Sequence, residues 1–184
     1  MKKIILIAAA ALLSLSASAQ KFAHVNFNEL VMLMPAADSA RAQIAASRQE
    51  AQDTYKSMTD EFQVKYQQYQ QKSSTWTPAI RESKEKELQD IQTRIQDFDQ
   101  SIQQELQQQQ QQLMAPIQQR AVAAVEKLAK EGGYIYVFEK ASMLYVDETQ
   151  SVDLTPAARK ALNIPDGRTL ETLQQELQAQ SQKQ

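Results

Sequence analysis

The spacing of apolar residues predicts a long pair of helices in the middle of the chain. From Ser39 to Lys130 there are 92 residues without a glycine, and prolines occur only at 78 and 116. In each half of this stretch apolar residues recur at alternating steps of three and four, which is the spacing of a coiled-coil seam. The first seam consists of Ile44, Ala51, Tyr55, Met58, Phe62 and Tyr69, and the second of Leu88, Ile91, Ile95, Phe98 and Ile102.

A cluster of helix-breaking residues separates the two halves. Residues 73–78 read Ser-Ser-Thr-Trp-Thr-Pro, where Thr77 is an N-cap candidate and Pro78 fits the first position of a helix. The first helix is therefore expected to end near Lys72. We predict an antiparallel helical hairpin over residues 39–114, with its tip near 73–78. A hairpin of this length cannot be the interior of a compact domain of this size, so it is expected to project.

Two features interrupt the second helix. After Ile102 the next apolar positions are Leu106 and Leu113, and the glutamine run 107–112 occupies the expected seam position. Such a stutter locally unwinds a coiled coil. Pro116 is expected to kink the helix, and Gly132-Gly133 is expected to end it.

Short β-type segments flank the predicted hairpin. Phe22 to Phe27 alternates as a half-buried strand does, and residues 134–138 and 143–146 are predicted to pair as a β-hairpin around 139–142. The sequence therefore predicts a discontinuous β-rich body from residues 20–38 and 115–167.

Helical signals follow these strands at the end of the chain. Thr155 as cap and Pro156 in the first turn predict a short helix from Ala157 to Leu162. Residues 168–184 are predicted to form an amphipathic tail.

A body this small is only marginally stable alone, so oligomerisation through its sheet edges is expected. The number of subunits is left open by this argument, because a dimer would cover the edges as well as a trimer. The candidate oligomerisation residues are Val25, Phe27, Ile135, Val137, Leu144 and Val146.

The first 19 residues have the pattern of a secretory signal peptide. Lys2 and Lys3 precede an apolar run from Ile4 to Leu15, and Ala17-Ser18-Ala19 forms an A-x-A cleavage site. The run is too short for a membrane-spanning helix, so cleavage after Ala19 is expected. Because the chain has no cysteine, disulfides and a lipid-modified cysteine are excluded. We predict a periplasmic protein without stable membrane insertion.

Charge argues against nucleic-acid binding. The chain without its signal peptide has 18 basic and 22 acidic residues, a net charge of −4, whereas residues 39–130 hold 12 of each and 22 glutamines. Nucleic acid and anionic lipid both call for a clustered basic face. Neither partner is expected.

The sequence offers no arrangement typical of an enzyme. With glycines only at 132, 133 and 167, no phosphate-binding loop of the P-loop or dinucleotide type is present. His24 is the single histidine and is expected to have a structural or surface role, since metal sites and catalytic triads need several partners. We therefore predict neither a cofactor, a metal site nor catalytic residues.

The order of these segments resembles that of the Skp/OmpH family of periplasmic chaperones. The resemblance extends over essentially the whole mature chain. It is carried by the first strand and helix from Phe22 to Leu30, the helical hairpin, Ala115-Pro116-Ile117, Gly133 to Phe138, Leu144 to Asp147, and Asp153-Leu154-Thr155.

The resemblance implies an α+β, mostly α, fold in which a small β-rich oligomerisation body carries a long antiparallel coiled-coil arm. It further implies a homotrimer whose arms enclose a cavity that holds unfolded outer-membrane proteins without ATP and prevents their aggregation. Family members with strongly basic arms are linked to lipopolysaccharide. Because the predicted arm here has no net charge, we do not transfer such a site.

Large apolar side chains near the tip are candidate client contacts. Those at regular seam positions are expected mainly to hold the two helices together, whereas Tyr66 and Trp76 lie off the seam, where large apolar groups usually mark contact surfaces. Two alternatives remain: a structural or adaptor coiled coil of the cell envelope, and an enzyme accessory or hydrolase with an unrecognised site. The client-contact candidates are Met58, Phe62, Tyr66, Tyr69, Trp76 and Ile80.

Overall fold

The computed structural model describes residues 21–182, so the predicted signal peptide lies outside the described residues. Two 3-10 turns are present, Ser73–Thr75 directly after the helix that ends at Lys72 and Lys140–Ser142 directly after the strand that ends at Glu139. Two long helices and a small sheet confirm the predicted α+β, mostly α, fold class. The elements in chain order are β1 (Lys21–Val25), α1 (Phe27–Leu33), α2 (Pro35–Lys72), α3 (Pro78–Gly132), β2 (Tyr134–Glu139), β3 (Ser151–Asp153), α4 (Thr155–Ala161) and α5 (Leu170–Ser181).

The chain divides into two compact units. The first, which we call the body unit, consists of the residues up to Met34 and those from Gln118 onward. The second, which we call the hairpin unit, is Pro35–Ile117 and contains α2 and most of α3. Among residues 21–182 no helix is both long and apolar enough to cross a membrane.

The three strands of the body unit form a parallel sheet in the order β2-β1-β3. In the central strand, Ala23, His24 and Val25 are all buried. His24 pairs with Phe138 of β2 on one side and with Asp153 of β3 on the other. Because β1 has a neighbour at each edge, it is the central strand of the sheet.

The predicted β-hairpin of residues 134–138 and 143–146 is wrong. β2 forms where expected, but 143–146 is not a strand, and the third strand is Ser151–Asp153. The second edge of β1 is taken by β3, since Nδ1 of His24 hydrogen-bonds with the Ser151 hydroxyl at 2.9 Å. The backbone N–H of Leu154 also donates to the carbonyl of His24 at 2.8 Å.

The first strand is shorter than predicted, because Phe27 begins α1. Asn26 ends the strand by acting as the N-cap of that helix. Its Oδ1 accepts a hydrogen bond from the backbone N–H of Glu29 at 3.2 Å, and its Nδ2 donates to Oε2 of Glu29 at 3.1 Å. Capping of this kind satisfies N–H groups that a helix start otherwise leaves unpaired.

Thr155 is not the cap of α4, contrary to the prediction. The helix starts at Thr155 itself, two residues before the expected Ala157, and its N-cap, Leu154, makes no side-chain cap. The Thr155 hydroxyl instead accepts a hydrogen bond from the backbone N–H of Asn26 at 2.9 Å. Thr155 thus ties the start of α4 to the end of β1.

The ends of the two long helices agree with the prediction. α2 ends at Lys72, α3 begins at Pro78, and the Thr77 hydroxyl accepts from the backbone N–H of Ile80 at 3.4 Å. α3 ends at Gly132, where Gly133 adopts a φ of 68°, a left-handed conformation that favours glycine. Pro116 lies inside α3, and its kink stays a prediction.

Side-chain pairs show that α2 and α3 run antiparallel within the hairpin unit. As the position on α2 falls from 69 to 47, the position of its partner on α3 rises from 85 to 109. This order fixes the register of the two helices. The pairs are Tyr69 with Glu85, Lys65 with Glu87, Glu61 with Arg94, and Ser47 with Gln109.

Helix α5 covers most of the predicted tail and packs within the body unit through buried Leu173. The preceding loop is held by Arg159 of α4, whose Nη2 donates to the carbonyls of Pro165, at 3.0 Å, and Arg168. Nη1 of the same side chain donates to Oε1 of Glu29 on α1 at 2.6 Å. One guanidinium therefore joins α1, α4 and the loop that leads to α5.

Candidate functional site

The seam of the hairpin unit is incompletely buried. Of the large side chains at predicted seam positions, only Ile44 and Ile91 are buried, and Tyr55 is exposed. The others are half-buried. Because the hairpin unit has only two helices, each seam is covered by the opposite helix on one side and is open to solvent on the other. The half-buried members are Met58, Phe62, Tyr69, Leu88, Ile95, Phe98 and Ile102.

Among the client-contact candidates, Tyr66 and Ile80 are the most exposed, at 45% and 46%. The ring of Tyr66 stacks on Phe62 with 5.9 Å between ring centroids. Trp76, expected to be exposed, is half-buried instead, since it meets Tyr69 edge to face at 5.8 Å. The tip thus presents Tyr66 and Ile80 rather than Trp76.

Val64 is an exposed apolar side chain that sequence reasoning missed. It lies on α2 between Phe62 and Tyr66 and is more exposed than either. Its position outside the three-four spacing was the available signal, as it was for Tyr66.

Ion pairs join the two helices toward the tip. Lys65 of α2 pairs with Glu87 of α3, and Lys84 Nζ lies 2.8 Å from Oε2 of the same carboxylate. Hydrogen bonds from Lys65 and then Lys84 lower the pKa of Glu87 to about 2. The Glu87 carboxylate is therefore a charged link between the helices over most of the pH range.

The lowered pKa of Glu87 predicts a pH-dependent stability of the hairpin unit. Since the pKa in the folded state lies below the unfolded value of 4.5, the pair stabilises fully above pH 4.5 and loses this effect toward pH 2. Glu87→Gln is expected to lower the melting temperature at pH 7, and this difference from wild type should shrink between pH 4.5 and 2. Thermal circular dichroism measures it, with Glu82→Gln as an exposed control; a difference independent of pH would contradict the prediction.

The glutamine run stays helical within α3. Gln109 of this run donates from Nε2 to the Ser47 hydroxyl on α2 at 2.9 Å. The polar run thus replaces an apolar seam contact by a hydrogen bond between the helices, while the local unwinding stays a prediction.

The body unit has an open apolar groove of about 530 Å³. Val25 and Val137 line it from the sheet, Phe27 from the start of α1, and Val122 and Val125 from α3. Val25 is buried, whereas Phe27 and Val137 are half-buried. An apolar groove open to solvent is a typical site for a second protein surface.

The remaining oligomerisation candidates lie on β2 and on the segment after it. Ile135 is exposed, Val146 is half-buried, and Leu144 has its entire side chain in solvent, at 108% relative exposure. Sequence reasoning missed Tyr145, which is 81% exposed. We call residues 143–146 the apolar loop.

Strand β2 also exposes two aromatic rings that sequence reasoning missed, Tyr136 and Phe138. Their centroids are 5.9 Å apart, and Tyr136 stacks on Phe22 of β1 at 6.5 Å. The signal was the uninterrupted apolar run of β2. In a strand with one face in solvent, apolar residues alternate with polar ones, so an unbroken apolar run indicates apolar residues on both faces. The strand is at the edge of the sheet, where unpaired backbone groups invite pairing.

His24 is almost fully buried, at 1% exposure, in the central strand. Its Nε2 lies 3.7 Å from Oδ2 of Asp153, while its Nδ1 contacts Ser151 of the same strand, β3. Partial burial alone would raise the pKa of Asp153, but hydrogen bonds from Thr155 and the nearby His24 and Lys140 lower it. Within residues 21–182 no group of three potential metal-ligating side chains occurs.

A comparison with protein families matches most of the described chain. The family model described as "Outer membrane protein (OmpH-like)" matches residues 21–162. This span runs from the first residue of β1 to the residue after α4 and leaves out α5. The search of curated proteins returns no match for the chain.

Proposed function

Because the chain belongs to the OmpH-like (Skp/OmpH) family, we propose that it binds unfolded outer-membrane proteins in the periplasm and prevents their aggregation without ATP. The family supports a periplasmic chaperone of the Skp/OmpH type, whose clients are outer-membrane proteins. Holding such a client until membrane assembly is the specific activity that we assign to this chain.

The open seam of the hairpin unit is the observation that supports holding most directly. Tyr55, Val64, Tyr66 and Ile80 are exposed along its two helices, and most seam side chains are covered on one side only. An unfolded barrel protein exposes apolar strands and unpaired edges. Many weak contacts between these surfaces retain the client while each contact breaks quickly, so release needs no nucleotide.

Self-association through the body unit is the second part of the proposal. The groove and the exposed residues of β2 and of the apolar loop give each copy two different apolar surfaces. A contact between two different surfaces closes into a ring when the rotation permits. We propose a homotrimer whose hairpins surround the client.

Suppression of aggregation tests the holdase activity. The mature protein from Gln20 onward is mixed with a urea-unfolded outer-membrane β-barrel protein, and light scattering is followed after dilution of the urea. We expect scattering to be abolished at about one trimer per client. Unchanged scattering at a severalfold excess would reject the holdase and favour a structural coiled coil of the envelope.

Exposed residues near the tip are expected to contribute to this activity. Tyr66→Gln combined with Ile80→Gln removes apolar contact area at no cost to the core, so helical content should stay constant while suppression weakens about fivefold to tenfold. Light scattering gives the activity and circular dichroism the helical content. Tyr66→Phe with Ile80→Val is the matched control and should retain full activity; equal activity of the Gln variant would exclude these two side chains from client binding.

A further inference from the structure

A cleft of about 240 Å³ lies between the two helices of the hairpin unit. It forms where α2 supplies small side chains, chiefly Ala51, and α3 supplies Phe98, Ile102 and Leu106. Nearer the tip the seam of α2 carries Met58, whereas at position 51 a single methyl group leaves the space unfilled.

The cleft is accessible from solvent. Ala51, Phe98 and Ile102 are half-buried rather than buried. The hydrogen bond between Gln109 and Ser47 limits the cleft at the end away from the tip. An apolar cavity of about 150 Å³ already accepts benzene, so this volume is sufficient for a large aliphatic or aromatic side chain.

Two carboxylates border the cleft, Glu50 on α2 and Glu105 on α3. Both are exposed, and within residues 21–182 neither forms an ion pair. Glu61 and Glu87, nearer the tip, are both paired across the helices. The cleft thus combines an apolar floor with two carboxylates that form no ion pair among the described residues, which complements an apolar side chain that has cations close to it.

We propose that this cleft binds one large apolar side chain of an extended client segment, with Lys or Arg residues two positions away pairing with Glu50 and Glu105. Residues two apart project from the same face of an extended chain, so the cations point toward the rim when the apolar residue points into the cleft. The inference rests on the proposed holdase function. It adds a preference for client segments in which a single residue separates the large apolar residue from each neighbouring Lys or Arg.

Photo-crosslinking of the full mature protein tests this inference. The probe is the peptide Gly-Lys-Ser-Bpa-Ser-Lys-Gly, where Bpa is benzoylphenylalanine, and adducts are located by mass spectrometry. We expect adducts within residues 47–54 and 98–109. A peptide with Glu in place of both Lys should give about tenfold fewer adducts. This comparison uses the wild-type chain, so it does not depend on the folding of any variant.

Variants then separate the roles of shape and charge. Ala51→Leu fills the cleft and should reduce adducts about tenfold, whereas Ala45→Leu, exposed on α2 outside the cleft, should not. Glu50→Gln with Glu105→Gln should remove the preference for the Lys peptide; Asp97→Asn, exposed on α3 outside the cleft, is the charge control. Circular dichroism of each variant verifies the helical content.

Two results would overturn the inference: adducts elsewhere on the chain, or equal yields from the two peptides. Light scattering on the same preparation distinguishes this failure from failure of the holdase. Suppression of aggregation without cleft adducts would support the holdase function and reject the cleft as a binding site. Cleft adducts without suppression of aggregation would support the cleft as a peptide-binding site and reject the holdase function.

Discussion

Replacing Leu144 and Tyr145 with aspartate is expected to convert the protein from an oligomer into a folded monomer. Both side chains project into solvent from the apolar loop, so the substitutions remove nothing from the core of the body unit. In an interface, each would lose about 1.5 to 3 kcal/mol of apolar burial and would also bury a charge. Self-association should weaken by more than about a hundredfold.

Size-exclusion chromatography with light scattering measures the mass of the variant and the wild type at equal concentration. Val64→Asp is the matched control, because it places the same charge on an exposed apolar position of the hairpin unit and should leave the oligomer intact. If the double variant kept the wild-type mass, the apolar loop would lie outside the interface. If the wild type itself were monomeric, the proposed trimer would be wrong.

The second large effect is expected at Arg159. Its side chain is 16% exposed and that of its partner Glu29 is 23% exposed, so the pair is shielded from water. Arg159→Met keeps most of the side-chain volume but leaves the Glu29 carboxylate and the carbonyls of Pro165 and Arg168 without these donors. We expect a loss of about 2 to 4 kcal/mol in the free energy of unfolding.

Urea unfolding followed by circular dichroism measures this loss. It is best determined in the Leu144→Asp, Tyr145→Asp background, where subunit concentration does not contribute to stability. Arg120→Met, at an exposed position of α3, serves as the control and should change stability by less than about 0.5 kcal/mol. Arg159→Lys should lie between the two, since a lysine cannot reproduce the geometry of the guanidinium. If Arg159→Met left the free energy of unfolding unchanged, other contacts would hold the loop before α5.

The helical hairpin was predictable because its signals are local. The start of α3 is specified by two adjacent residues, Thr77 and Pro78. Its end is specified by Gly133, which adopts a conformation that other residues avoid. The antiparallel arrangement follows from the short connection at the tip. Each of these features depends on residues close together in the sequence.

The sheet was not predictable in the same way, because its pairing is decided by distant residues. Ser151 reaches His24 across 127 positions, and no nearby pattern marks the three-residue strand that contains it. The apolar residues 143–146 had the composition of a strand but found no free edge of β1. Composition indicated a β-type segment, and competition for the central strand decided which segment paired.

The exposure of the client-contact candidates, though not their role, could be predicted in part for the same reason. Tyr66 could be recognised as exposed from its position off the seam, whereas the burial of Trp76 depends on how the chain reverses at the tip and meets Tyr69. The cleft at Ala51 had a sequence signal, a small residue at a seam position. Its meaning required knowledge of which α3 side chains lie opposite.

The parallel sheet also determines the order in which the chain acquires structure as it emerges from its N-terminus. β1 emerges first, but its neighbours begin at Tyr134 and Ser151. The strand therefore has no pairing partner until more than a hundred further residues have followed. The hairpin, whose contacts are closer in sequence, is able to close in the meantime. Once Ser47 lies beside Gln109, the loop that separates β1 from β2 is effectively far shorter, and its closure costs less entropy. The two long helices thereby act as an internal scaffold for assembly of the sheet.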